Sequence, residues 1–254
     1  MKKPVLYVEA IPGDRKNLLF DFCYSAKMGA MEAGIKVKHF ETADEIPREP
    51  TNIVVGSVEV CSDWLTLCNL PVPKAIDLLL FQEFCHRELK PMLMSDFKSY
   101  ALDEKDNWTP VFIKPYQQIK AFTGFVVTDP RLISLFSYDF DGPILVQPEI
   151  DIVSEYRVYV NCQKIVGVKN YSGDPLIFPS ADQIKKCVEY SKKVLDNHSF
   201  TLDFGVRADG LTDLIEVNDG WAIGNYGLEP QQYYLFVRNR WLHMTGIRHR
   251  MELI

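Results

Sequence analysis

Apolar and polar positions follow two rhythms along this chain. Through roughly the first 85 residues, short β-branched runs alternate with a longer helical pattern. Val5–Ala10, Ile35–Phe40 and Asn52–Val55 read as strands. Between the first two, Leu18, Leu19, Phe22, Ala26, Ala30 and Ala33 recur at helical spacing. They predict a helix over Arg15–Ala33, with Asp14 as its N-cap after an Ile11-Pro12-Gly13-Asp14 turn and Gly34 as its stop. From about Trp108 strands crowd together: Val111–Lys114, Phe122–Val127, Ile144–Gln147, Glu155–Val160, Lys164–Lys169, Ser199–Arg207 and Leu211–Asn218. Helices are expected over Asp129–Phe136 and Ala181–Leu195, and from Glu229-Pro230 onward. Alternation followed by clustering predicts an α/β lobe joined to an α+β lobe.

The densest chemistry lies in Thr201-Leu202-Asp203-Phe204-Gly205-Val206-Arg207-Ala208-Asp209-Gly210-Leu211-Thr212-Asp213-Leu214-Ile215-Glu216-Val217-Asn218. Asp209-Gly210 is a two-residue hairpin signal, because a type I′ turn needs positive φ at both central positions. That turn would set Asp203 opposite Glu216 and Thr201 opposite Asn218, all on one face. Leu202, Phe204, Val206, Ile215 and Val217 would take the other face. Directly opposed carboxylates repel, by up to ~1 kcal/mol, unless a cation sits between them. Two carboxylates and an amide oxygen are the hard-oxygen donors that Mg²⁺ takes; a solvated polar hairpin face is the alternative.

Composition narrows the setting. The 254 residues carry 28 Lys+Arg and 34 Asp+Glu, a net charge of −6 without a basic arm, which argues against a duplex nucleic-acid partner. No apolar run approaches the ~20 residues of a membrane span, so no membrane partner is expected. Cys23, Cys61, Cys68, Cys85, Cys162 and Cys187 form no C-x-x-C pair, and reduced thiols in a cytoplasmic protein are the expectation.

An Asp, a Gly seven residues later and an aliphatic-Glu-Val-Asn run (Asp203, Gly210, Leu214-Ile215-Glu216-Val217-Asn218) resemble the metal-binding signature of the ATP-grasp superfamily. Upstream, Val111-Phe112-Ile113-Lys114-Pro115 is similar to the strand of that family's phosphate lysine. Ile144-Leu145-Val146-Gln147-Pro148-Glu149-Ile150 is similar to the adenine hinge, and Ser154-Glu155-Tyr156-Arg157-Val158 to the strand after it. The Glu-Val-Asn-Asp-Gly-Trp-Ala extension resembles a compact clade frequent in phages, whose members are predicted carboxylate-amine ligases.

The resemblance implies an ATP-grasp fold of mixed α/β and α+β class. An N-terminal α/β lobe would span 1–88 and an ATP-grasp domain of two α+β subdomains 89–254, with ATP in the cleft. It implies Mg²⁺ on Asp203, Glu216 and Asn218. Lys98, Lys114 and Lys120 would meet the phosphates, Gln147, Pro148 and Ile150 the adenine, and Glu155 the ribose. The reaction implied is amide or peptide bond formation through an acyl phosphate, with ADP and phosphate released. The substrates would be a small-molecule or peptide carboxylate and an amine; a homodimer is left open. A non-catalytic nucleotide-binding or scaffold protein and an ATP-grasp kinase remain alternatives.

Two features depart from the family pattern. After Lys114 the stretch Tyr116–Gly124 holds one glycine, where the family often has several. The position two before Asp203, often an arginine, is Thr201. Arg157, Lys169 and Arg207, on strands of the same predicted sheet, are the candidates to take over that arginine's work on the reacting oxyanion. Asp219-Gly220-Trp221-Ala222 through Tyr226-Gly227 is expected to line a substrate pocket or to pack beneath the last helix. Arg238, Arg240, Arg248 and Arg250, with His243 and His249, form a modest C-terminal basic cluster, most simply a solvated helix face.

Overall fold

A computed structural model describes residues 4–117, 121–135 and 140–247. The first sheet is built on β1 (Val5–Ile11), with β3 (Lys36–Phe40) and β4 (Ile53–Val55) parallel to it. α1 (Asp21–Glu32) precedes β3, and α2 (Val58–Leu67) follows β4. The helix expected over Arg15–Ala33 is shorter. Gly13, at φ 78°, reverses the chain, and β2 (Asp14–Leu18) runs back antiparallel on β1. Asp14 to Asn17 are exposed polar residues with no apolar stripe to bury, so that stretch pairs along β1 instead of coiling. Asp14 therefore caps no helix; its carboxylate accepts from Asn17 Nδ2 at 2.8 Å.

The second sheet has the order β5 (Lys90–Leu93), β8 (Pro143–Pro148), β6 (Val111–Pro115), β7 (Phe125–Val127). The third has β10 (Lys164–Gly173), β9 (Ile152–Asn161), β11 (Ser199–Arg207), β12 (Thr212–Asp219). All pairings in both are antiparallel. β8 ends at Pro148 and β9 begins at Ile152, so three residues join the two sheets. The helix expected over Asp129–Phe136 is a 3-10 segment, Pro130–Leu135; Phe136 lies outside the described residues.

Three cores result. α3 (Met94–Asp103) packs Met94, Phe97 and Ala101 on one face of the second sheet, against Ile113, Ile144 and Val146. α4 (Ala181–Val194) and the 3-10 segment Leu78–Phe84 cover the apolar face of the third sheet, which carries Val158, Val160, Phe200, Leu202, Phe204, Leu214 and Val217. The last helix, α5 (Pro230–Met244), leaves that sheet and completes the first core through Tyr233, Phe236, Val237 and Trp241. Trp241 meets Trp64 edge-on at 5.5 Å between ring centroids. The N-terminal sheet thus draws its core partly from the far end of the chain.

α1 and α5 approach closely at Gly29. A Cβ there would lie 2.0 Å from the Pro230 carbonyl oxygen, which is backbone and cannot swing away. Gly29→Ala is expected to destabilise the protein by about 1–3 kcal/mol, as overpacking does, read as a lower thermal midpoint.

Candidate nucleotide and metal site

The hairpin β11–β12 places Asp203 opposite Glu216 and Thr201 opposite Asn218, as expected, by an unexpected route. The turn is a three-residue loop, Ala208-Asp209-Gly210. Arg207 N donates to Leu211 O at 2.8 Å, and only Gly210 takes positive φ, at 84°. This shifts the pairing by one near the turn, and a bulge at Ile215 shifts it back, with Phe204 facing Leu214 and Asp203 facing Glu216. The bulge also corrects the expected facing of Ile215. Its Cδ1 would lie 2.8 Å from a Cβ on Gly205, which puts it on the Asp203 face.

Register carries the polar face across the whole third sheet. Lys169 faces Arg157, Arg157 faces Asp203, and Asp203 faces Glu216, one residue from each of four strands. Arg157 grips Asp203 through Nε–Oδ1 at 2.8 Å and Nη2–Oδ2 at 2.7 Å, with both side chains buried. Burial raises the Asp203 carboxyl above its ordinary value, against the pull of Arg157. Burial also opposes the charge on Arg157, but the bond to Asp203 outweighs it and the guanidinium stays protonated. Asn218 Nδ2 spans the two acids, 3.0 Å from Glu216 Oε2 and 3.4 Å from Asp203 Oδ2.

Lys114 arrives from the second sheet. It shares a face with Leu145 and, two residues along each strand, with Phe112 and Gln147. Its Nζ lies 3.6 Å from Glu216 Oε1 and donates to the Ile215 carbonyl at 3.4 Å. The bulge that leaves Ile215 unpaired with β11 thus leaves its carbonyl to the lysine. Glu155 lies one step along β9 from Arg157 on the same face, its Oε2 accepting from Tyr171 Oη at 2.8 Å. Tyr171 stacks on Tyr226 at 4.7 Å, and Tyr226 covers the Arg157 guanidinium at 4.6 Å.

Asp203, Glu216, Asn218, Lys114, Arg157, Lys169 and Glu155 are therefore brought to one face, and Gln147 faces the third sheet beside them. Pro148, exposed, and Ile150, partly buried, flank the joint between the sheets. Two other expected contributors stand apart. Lys98 is on α3, next to buried Phe97, and α3 covers the face of the second sheet opposite to Lys114. Arg207 ion-pairs through Nε with Asp213 and donates from Nη2 to the His86 carbonyl at 3.1 Å, so its donors are engaged away from Asp203. Lys120, Arg248, His249 and Arg250 lie outside the described residues. In the loop after β12, Trp221 and Leu228 are buried in the first core, while Tyr226 stays partly exposed over the polar face.

Arg87 was not foreseen. It is buried, donating from Nε to Gln147 Oε1 at 2.7 Å and from Nη1 to the carbonyls of Cys85 and Leu214 at 2.9 Å each. Burial lowers its pKa. Two of its three partners are 60 and 127 residues away, and no local pattern marks it.

The donors suit a Mg²⁺ ion. Asp203 and Glu216 offer carboxylate oxygens on adjacent strands, and the group between them is an amide, whose oxygen and nitrogen exchange places by a flip of the side chain.

Solved proteins share this fold over nearly their whole length. D-alanyl-alanine synthetase A from Vibrio cholerae superposes with a TM-score of 0.62 at 12% identity, covering 96% of this chain and 100% of that one. The macrocyclase MdnC from Microcystis aeruginosa, bound with precursor peptide MdnA, gives 0.53 at 13% identity, covering 96% and 99%. The ATP-grasp ligase PsnB, complexed with minimal precursor, Mg and ADP, gives 0.53 at 12% identity, covering 96% and 99%. At such identities the likeness is one of fold, and the fold is ATP-grasp. The chain belongs to the ATP-grasp domain, R2K clade family 2, whose family model matches residues 84–236. No curated protein sequence matches it. Among the described residues no helix is long and apolar enough to cross a membrane.

Proposed function

We propose that this ATP-dependent ligase joins a carboxylate to an amine through an acyl phosphate. One observation carries the reading: Asp203, Glu216 and Asn218 on the third sheet converge with Lys114 from the second. Mg²⁺ on the three oxygen donors would supply charge neutralisation for the triphosphate. Lys114 supplies a fixed positive charge beside it. Ile215 and Ile152 both crowd Gly205, with Cδ1 atoms 2.8 and 3.0 Å from where a Cβ would sit. They form an apolar floor for a base on the Asp203 face, between the joint at Pro148–Ile150 and the acids. Glu155, whose other oxygen is left for a hydroxyl, lies along the same strand.

In the reaction a carboxylate oxygen of the substrate attacks the γ-phosphorus and ADP leaves. The amine nitrogen then attacks the acyl carbon, loses a proton, and phosphate departs with the original carboxylate oxygen. This chain's part is to hold charges in place. Arg157 has both donors of its inner edge on Asp203, so it holds the Asp203 carboxylate and is not the oxyanion donor. Lys169 is half-buried in the same cross-strand row without a hydrogen-bond or ion-pair partner among the described residues, and takes that role. Lys169→Ala is expected to lower kcat about 10²–10³-fold, the usual cost of losing an oxyanion donor, while the thermal midpoint hardly moves. Unchanged kcat would remove Lys169 from the mechanism.

The reading is tested by incubating the protein with Mg-ATP and panels of amino acids and short peptides, then weighing the products. Ligation gives ADP together with a product of the summed mass less water. A product heavier by one phosphoryl group would make the protein a kinase. Absence of ADP across the panels with tight nucleotide binding would support the non-catalytic alternative. The peptide-bound and D-alanyl-alanine-type neighbours favour amino-acid or peptide substrates.

A further inference from the structure

The joint between the second and third sheets is three residues long, yet the proposed base-binding end of β8 and the metal-binding groups lie on opposite sides of it. Something must hold the two sheets at one spacing. Arg87 touches both. Through Nε it holds Gln147, the residue before Pro148 at the end of β8, and through Nη1 it holds the Leu214 carbonyl on β12. Leu214 is two residues from Glu216, and the next carbonyl, that of Ile215, accepts from Lys114. A third bond, to the carbonyl of Cys85, anchors the guanidinium to its own segment. A second brace lies alongside: buried Asp213 accepts from Arg207 and lies 3.2 Å from His86 Nδ1, while Arg87 Nη1 is 4.0 Å away.

A buried guanidinium is an expensive crosslink, since apolar residues of similar volume usually stabilise as well or better. Its planar fork offers what they lack, several donors fixed at set angles. We propose that Arg87 is a positioning residue, a clamp that sets the distance between the base-binding end of β8 and the metal-binding strand β12. The clamp makes binding of the two halves of ATP cooperative. The inference rests on the nucleotide site proposed above and adds to it the group that couples its parts.

Coupling has a signature that a structural role lacks. Linked groups bind together far more tightly than separately only while their sites keep the matching distance. Affinities for Mg-ATP, adenosine and Mg-tripolyphosphate would be measured by displacement of a fluorescent ATP analogue from the full chain. Arg87→Gln is expected to weaken Mg-ATP at least about tenfold, and adenosine and tripolyphosphate by less than about threefold. Arg87→Lys keeps the buried charge but offers one ammonium in place of the fork that holds Gln147 and the Leu214 carbonyl together, and should reproduce the pattern. It decides the matter if Arg87→Gln fails to fold by circular dichroism. Unchanged ATP affinity in a folded variant, or equal losses for all three ligands, would overturn the clamp. A wild-type protein that binds no ATP would instead fail the nucleotide reading, and would show this before any variant is made.

Discussion

Glu216→Ala is expected to lower ADP release at least ~100-fold in the presence of a ligatable substrate pair, comparable to removing a principal electrostatic group from an active site. Glu216 is far more exposed than Asp203, with its side chain 45% accessible, and its ion pair with Lys114 is loose at 3.6 Å. Little stability depends on it, so the variant should unfold within about 1 kcal/mol of wild type. The loss would be one of charge at a chosen place. Glu216→Gln, which keeps the shape and removes the charge, should fall with it. Wild-type turnover in either variant would remove Glu216 from the metal site.

Arg157→Ala should have the opposite balance, with the larger effect on folding. Asp203 is 2% exposed, and without Arg157 its carboxylate would keep, among the described residues, only the 3.4 Å contact to Asn218. Stranding a buried charge costs about 3–5 kcal/mol, whereas the contact of Arg157 with the Tyr226 ring adds about 0.5–2 kcal/mol. The ion pair therefore dominates the expected loss, measured as a shift in the urea midpoint at constant m. Arg157→Lys would keep the charge but not the two-pronged bond, and should fall between. A loss under ~1 kcal/mol would mean that Asp203 is neutral in the folded protein, since burial alone pushes its carboxyl in that direction.

The site hairpin shows how much of this was legible from the chain. The pairing of Asp203 with Glu216 was readable only because two local departures cancel. Gly210 ends a three-residue loop instead of a two-residue turn, and Ile215 bulges to restore the register. Side-chain alternation sees the net register, not the path to it, and so it also put Ile215 on the wrong face. Helical spacing from Leu18 to Ala33 was real only from Asp21 onward, because a glycine turn and a charged run are invisible to a hydrophobic period. The strand Lys90–Leu93, with two of its four residues lysine and proline, carried no β signal at all.

Charged residues divide along the same line. Lys114 and Glu216 sit in strand motifs whose alternation sets their face. Lys98 sits on a helix, which packs Met94, Phe97 and Ala101 on the face of the second sheet opposite to Lys114. Arg157 and Lys169 were both placed on strands of one sheet, and they are. Which of them keeps its donors free depended on the bond of Arg157 to Asp203, 46 residues away in the chain. The bonds of Arg87 to both sheets are of this long-range kind.

In the proposed reaction the carboxylate is activated as an acyl phosphate. It is tested most directly with a carboxylate substrate labelled with oxygen-18 on both oxygens, using the substrate pair found in the panels. Label is expected to pass into the released phosphate, because the oxygen that attacks the γ-phosphorus leaves with it. Amide formed with unlabelled phosphate would contradict it.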